Sequence, residues 1–170
     1  MIVSGLPDSL PIPVVIAQHM PPRFIETFAE RLNQHSLLNV TVAKHGEYLM
    51  PNHIYLAGGN ANMTIIRQDG WPVAMYVDDS FTEFNCPSID CVFQSVAQHF
   101  GPRSLGIILT GMGRDGARGL KRIKAEGGLA IAQDEHSSLV YGMPKAAVDI
   151  DAVTYQISLS EISNFIINAI

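Results

Sequence analysis

Two residues of this chain sit where their types suit proton transfer: His19 and Asp115. Asp115 lies in a glycine-rich turn, Thr110-Gly111-Met112-Gly113-Arg114-Asp115-Gly116. An apolar run, Leu105 to Leu109, precedes the turn, and a helical pattern with Ala117, Leu120 and Ile123 on one face follows it. Gly127 and Gly128 stop that helix and Leu129 to Ala132 re-enters a strand, so the stretch reads as a βαβ unit and implies a parallel sheet. His19 occupies an equivalent turn. It follows the apolar run Val14 to Ala17 and precedes a helix opened by Pro21-Pro22, with Phe24, Ile25, Phe28, Ala29 and Leu32 on its apolar face. In open α/β sheets, sites form outside the carboxyl ends of strands. A histidine paired there with a carboxylate supplies two parts of a hydrolytic triad: the imidazole takes and returns a proton, and the carboxylate fixes its tautomer. The glycines of the turn let backbone N–H groups approach a developing oxyanion. His19 and Asp115 are therefore expected within hydrogen-bonding reach of one another.

A nucleophile with a recognisable setting is missing. No G-x-S-x-G elbow occurs. Ser4 precedes Gly5 in what reads as the tail of a helix, and Ser137 and Ser138 sit at a third polar strand end, Gln133 to Ser138, with no adjacent base. Two other readings of the glycine turn compete with the triad. Gly111, Gly113 and Gly116 match G-x-G-x-x-G, with Asp134 about 20 residues further on, the spacing of a dinucleotide site. The charge of Asp115 opposes a pyrophosphate there. Alternatively Asp115 is a plain helix N-cap, meeting the free N–H groups of the helix that follows it.

The elements that must position these turns follow from periodicity. Val40 to Ala43 and Ile54 to Ala57 read as strands, and Met63 to Ile66 with Val73 to Val77 as a hairpin around Gln68-Asp69-Gly70. His45-Gly46-Glu47, Pro51-Asn52-His53 and Gly58-Gly59-Asn60 read as turns. Asn85-Cys86-Pro87-Ser88 opens a helix with Ile89, Val92, Phe93, Val96, Ala97 and Phe100 at helical spacing, ended by Gly101-Pro102. Gly142-Met143-Pro144 starts a short helix through Val148. Ser158 and Glu161 form a capping box for a last helix with Ile162, Phe165, Ile166 and Ala169 buried. The fold class expected is α/β: a doubly wound, mainly parallel sheet with helices on both faces and a small antiparallel edge hairpin. Residues 1–12 are odd in that scheme, since they read as a helix end with no strand or helix start before it.

Composition bounds the rest. At 170 residues, 47% hydrophobic and 16% charged, the chain suits one globular domain with a sizeable core. A net charge of −5 without a basic run argues against nucleic acid. No apolar stretch reaches the roughly 18 residues of a membrane span, and the first residues lack the features of a signal peptide. Cys86 and Cys91 fall on different sides of a helix start, so neither a disulfide nor a metal pair is expected, and a cytoplasmic location fits. No cofactor or metal site is read. His35, His45 and His53 are expected at the surface, and Asp78-Asp79 in a solvated turn.

Four stretches together resemble the catalytic domain of the CheB chemotaxis receptor methylesterases: Gln18-His19-Met20-Pro21-Pro22, Pro87-Ser88-Ile89-Asp90, Leu109-Thr110-Gly111-Met112-Gly113-Arg114-Asp115-Gly116 and Tyr141-Gly142-Met143-Pro144. The resemblance runs almost end to end. It implies hydrolysis of glutamate methyl esters, and deamidation of glutamines, on methylated chemotaxis receptors by a Ser-His-Asp triad. The family's histidine falls on His19, its aspartate on Asp115, and a backbone N–H of its oxyanion hole on Met112. The family's serine lies in a turn after a first strand that matches nothing from Met1 onward. The resemblance thus implies that 1–170 is a catalytic domain truncated at its N-terminus, without the receiver domain that precedes it in phosphorylation-controlled members. It also implies a gap in the parallel sheet where that strand belongs. Gly59-Asn60-Ala61-Asn62 replaces a more basic loop usual in the family, which bears on receptor contacts. A non-catalytic receptor-docking module of the same fold is the alternative.

Overall fold

The computed structural model describes residues 1–77 and 86–170. Asp78, Asp79 and Asn85, read above as a solvated turn and a helix start, lie outside the described residues. The chain opens with a 3₁₀ turn at Val3–Gly5, where the sequence reads as a helix tail. Strand β1 (Val14–Ile16) leads into helix α1 (Pro22–Asn33), with proline in its first turn. Ile25 and Ala29, one turn apart, are buried, and Phe28 and Leu32 pack on the same cluster, so four of the five stripe residues meet the core, while Phe24, read on the same face, is exposed with the Arg23 guanidinium over its ring. Strands β2 (Asn39–Val42) and β4 (His53–Leu56) are parallel to β1, in the order β1-β4-β2. The central strand has Ile54, Tyr55 and Leu56 all buried, as a strand covered on both faces requires.

A second sheet is antiparallel. The expected hairpin is β5 (Asn62–Gln68) with β6 (Trp71–Val77), and a short strand β3 (Glu47–Tyr48) adds to it in the order β3-β6-β5. The turn read at His45-Gly46-Glu47 therefore passes straight into a strand, with Glu47 opposite Ala74. A third sheet is parallel, in the order β7-β8-β9, from β7 (Leu105–Ile108), β8 (Leu129–Gln133) and β9 (Tyr155–Ile157). Helices α2 (Ile89–Phe100), α3 (Ala117–Ala125), α4 (Met143–Asp149) and α5 (Ile162–Ala169) complete the described chain. This is the expected α/β class, mainly parallel, with an added antiparallel element.

The capping box at α5 does not form. The Glu161 N–H donates to the backbone carbonyl of Ser158 at 2.9 Å, closing a turn, and the Ser158 hydroxyl pairs with that of Ser160 instead. Backbone bonding in the preceding turn takes the place of the side-chain cap.

The parallel strands fall into two sheets, yet they share one core. Val14 and Ile16 of β1 and Leu105 and Ile107 of β7 pack on a single cluster that includes Leu6, Leu10, Ile54 and Ile162. Among the described residues no hydrogen bond joins β1 to β7.

Helices α2 and α3 cross at close range through Gly119. A Cβ there would lie 2.6 Å from Phe93 Cβ and 2.9 Å from the backbone oxygen of Asp90. Alanine is ordinarily the better helix former by about 1 kcal/mol, but overpacking of this kind costs about 1–3 kcal/mol. A Gly119→Ala chain is expected to lose up to about 2 kcal/mol net, read as a lower urea midpoint at unchanged slope. An unchanged midpoint would show that the two helices separate freely.

Candidate active site

His19 reaches the site because β1 is registered against β4 and the next turn is tightly backed. The Ala57 N–H donates to the Ile16 carbonyl at 2.8 Å, which fixes the end of β1. Gly59 lies against the chain just after His19, so near that a Cβ would be 3.0 Å from the Met20 oxygen and 3.1 Å from Pro22 Cα. The Tyr76 hydroxyl accepts from the Gly58 N–H at 2.7 Å and donates to the Ala43 carbonyl at 3.0 Å, tying this backing loop to β6. That bridge buries the hydroxyl, and burial pushes the Tyr76 phenol above its ordinary range.

Asp115 arrives from the other parallel sheet, after β7. Its Oδ2 meets His19 Nε2 at 2.7 Å, the contact that the sequence leads one to expect. The histidine side chain is 28% exposed and the aspartate 2%. Asp115 does not cap its own helix. Gly116 is the N-cap of α3, without a side-chain cap bond. The Asp115 carboxylate turns instead to the N-terminus of α2. Oδ2 accepts the Ile89 N–H at 2.7 Å, and Oδ1 accepts the Asp90 N–H at 2.9 Å and the Ser88 hydroxyl at 3.2 Å. With His19 these donors fill both oxygens, and the positive end of a helix favours an anion there. Burial pushes the Asp115 carboxyl up, but the His19 ring and the Asp90 and Ile89 N–H groups together hold it below the usual carboxylate range. Asp115 is thus a fixed, ionised acceptor, and its bond to Nε2 turns the Nδ1 edge of the ring away from it.

The capping is mutual. Asp90, in the first turn of α2, is fully buried and accepts the Gly119 N–H of α3 at 2.6 Å and Arg118 Nε at 3.3 Å. Burial raises its carboxyl above the ordinary range, with the nearby Asp115 charge adding to the rise. Ser88 is the N-cap of α2, accepting from the Cys91 N–H at 3.3 Å, and its own N–H donates to Asn62 Oδ1 at 2.8 Å. Asn62, from the loop read as bearing on receptor contacts, is therefore buried structure beneath the site. Ser88, Asp90 and Asn62 were not assigned to the site from sequence. The one signal for the first two was their place in Pro87-Ser88-Ile89-Asp90.

The second strand end joins the third through Gln133. Its Oε1 accepts the Thr110 N–H at 2.9 Å and its Nε2 donates to the Ser137 carbonyl at 2.8 Å. Asp134 turns away to the Ser137 N–H at 2.9 Å. The Ser137 hydroxyl donates to Asp134 and accepts from the Leu159 N–H, and that of Ser138 donates to the Asp134 carbonyl, so all three are engaged in building their own loop. Met112 is 86% exposed, and no group among the described residues accepts its backbone N–H. That donor sits three residues before Asp115, free to meet a new acceptor. Ser4 donates to the Met1 carbonyl, with no link to His19. Cys86 is exposed and Cys91 buried, and burial pushes the Cys91 thiol up to about 12, which removes it as a thiolate nucleophile. His53, read as a surface residue, is half-buried, stacked on Tyr55 and bonded to Thr41. The dinucleotide reading fails on the same geometry: the first turn of α3, where a pyrophosphate would sit, already holds the Asp90 carboxylate.

His19 and the ionised Asp115 carboxylate thus meet at the strand ends of a parallel α/β domain. The family model described as CheB methylesterase matches residues 1–166, and the chain belongs to that family. It is 43% identical over 162 residues to a protein-glutamate methylesterase/protein-glutamine glutaminase 1 of Burkholderia pseudomallei, covering 95% of this chain and 44% of the relative. To a protein-glutamate methylesterase/protein-glutamine glutaminase of Moorella thermoacetica it is 42% identical over 167 residues, covering 98% of this chain and 39% of the relative. The chain thus spans less than half the length of these curated relatives. The solved Thermotoga maritima CheB methylesterase catalytic domain superposes with a TM-score of 0.96 at 31% identity, over 99% of this chain and 89% of that one.

Proposed function

We propose that this chain is the larger part of a catalytic domain that hydrolyses glutamate methyl esters, and deamidates glutamines, on chemotaxis receptors, with its serine nucleophile supplied by a segment ahead of Met1. The observation that carries the reading is the 2.7 Å pairing of His19 with an Asp115 carboxylate pinned by three further donors. The names of the relatives support the substrate class. Among the described residues, no hydroxyl or thiol is bonded to the His19 ring, and the serine of the family's motif is the nucleophile this reading assigns to it.

The steps follow from the ring's orientation. With Nε2 donating to Asp115, Nδ1 is the nitrogen that takes the serine proton. The serine oxygen bonds to the ester carbonyl carbon, and the oxygen that becomes negative meets the Met112 N–H. Collapse breaks the bond to the methoxy oxygen, and methanol leaves with the proton held by His19. Water then attacks the acyl-serine, with His19 again as base, and the glutamate carboxylate and serine hydroxyl are restored. With glutamine the leaving group is ammonia. Asp115 stays ionised throughout and steadies the imidazolium. A cytoplasmic location and a receiver domain farther upstream belong to the same reading, and among the described residues no helix is long and apolar enough to cross a membrane.

Ester hydrolysis by the 170-residue chain alone is expected at background, unchanged by Ser4→Ala, and restored when a serine-bearing segment of about 20 residues is added upstream. Turnover by the chain as it stands, abolished by Ser4→Ala, would place the nucleophile inside it and overturn this assignment.

A further inference from the structure

We infer that Asp90 is a positioning residue for this reaction: its carboxylate, bound at the start of α3, holds the turn that carries Asp115 and Met112 in register with the start of α2. The inference rests on the esterase reading of the site, and it assigns a task to a residue that touches none of the reacting groups in that reading.

The geometry is reciprocal. Asp115 lies two residues before α3 and accepts N–H groups from the first turn of α2. Asp90 lies in that first turn and accepts the Gly119 N–H from the first turn of α3 at 2.6 Å. The same residue donates its own N–H to Asp115 Oδ1 at 2.9 Å. Asp90 is therefore bonded on its backbone to the carboxylate that orients His19, and on its side chain to the helix that follows that carboxylate. A fully buried carboxylate between two helices is costly unless its oxygens are satisfied, and at Asp90 they face the Gly119 N–H and the Arg118 guanidinium. Without that carboxylate, the start of α3 loses its tie to α2 at Gly119 and shifts relative to it. The turn from Met112 to Gly116 moves with it, because Gly116 is the N-cap of α3. A catalytic group displaced by about 1 Å loses roughly a hundredfold in rate.

The test reads the tautomer of His19 before it reads activity. Imidazole nitrogen shifts, measured by long-range proton–nitrogen NMR on the 170-residue chain at a pH where the ring is neutral, are expected to show the Nε2–H form almost alone. Asp90→Ala is expected to bring in a substantial Nδ1–H fraction. Asp90→Asn, which keeps an oxygen for the Gly119 N–H, is expected to restore most of the Nε2–H form. In a chain extended to carry the serine, Asp90→Ala is expected to lower kcat about a hundredfold at little changed KM, with Asp90→Asn recovering about tenfold of that loss. A folded Asp90→Ala chain with the unaltered tautomer would overturn the inference and leave the esterase reading standing. Should Asp90→Ala not fold, Asp90→Asn decides alone: a kcat no higher than that of an Arg118→Ala chain, with a mixed tautomer, would show that the Gly119 bond does not position the turn. Mixed tautomers in the unaltered chain would overturn both readings at once.

Discussion

Replacing Asp115 by asparagine is expected to lower ester hydrolysis by about ten-thousand-fold in the serine-bearing chain, the scale on which a triad fails when its histidine is left in the wrong tautomer. Both oxygens of Asp115 face only donors: Ile89 N–H and His19 on one, Asp90 N–H and the Ser88 hydroxyl on the other. An asparagine must turn its NH₂ toward one of those pairs. Toward His19, it forces Nε2 to accept and puts the proton on Nδ1, the nitrogen that has to take the serine proton. Toward α2, it sets donor against donor inside the protein, at about 1–3 kcal/mol for each group left unpaired. Either way the start of α2 loses its anion. A melting temperature lower by roughly 10 °C should accompany the loss of turnover. An Asp115→Asn enzyme that keeps a tenth of its rate would exclude Asp115 from orienting the base.

The same substitution has a pH signature. The Asp115 carboxyl titrates below its ordinary range in the folded protein: burial raises it, and the hydrogen bonds from His19 and the start of α2 lower it further than that. A depressed folded value means that the ionised form stabilises the fold above the unfolded value, near 4, and that this stability is lost as the pH falls through the folded value. The stability gap between the parent chain and Asp115→Asn should therefore be widest near neutrality and narrow below about pH 4. Denaturant titrations of both chains across that range measure it, and a gap that stayed constant into strong acid would show that Asp115 is not held as an anion.

The two residues that meet at the site were legible because each announces itself locally. His19 and Asp115 both stand between an apolar strand run and a helical stripe, and the end of a parallel strand is where such a fold presents chemistry. Their supporting residues carry no such local mark. Ser88, Ile89 and Asp90 reach Asp115 across 25 to 27 residues, and Asp90 reaches Gly119 across 29. A capping residue is sought within the helix it caps, and here each helix start also takes a carboxylate from beside the other helix. The same limit applies to Asn62, whose partner Ser88 lies 26 residues on. Strands β3 and β9, at two and three residues, were too short and too exposed to show a period. The gain of a strand by the antiparallel sheet depends on pairing with β6, which nothing in Glu47-Tyr48 alone dictates.

Extending the chain upstream by about 20 residues is expected to raise its melting temperature by 10 °C or more, alongside the return of activity. The reason lies between β1 and β7. The His19–Asp115 bond brings the regions after these two strands together, and their side chains share one apolar cluster, yet among the described residues the strands do not pair. All three residues of β1 are only half-buried, whereas its neighbour β4 is nearly sealed. One further parallel strand between them would bond to both edges and join the two three-stranded parallel sheets into one. A serine at the end of that strand would then emerge beside His19 and the turn that carries Met112 and Asp115. Unpaired edges of this kind invite pairing with a second chain. Light scattering of the 170-residue chain is therefore expected to show self-association that the extended chain lacks. A net gain of about 3 kcal/mol corresponds to the shift expected here for a domain of this size. Equal melting temperatures with both chains monomeric would mean that no strand enters between β1 and β7, and the nucleophile would then have to approach His19 by another route.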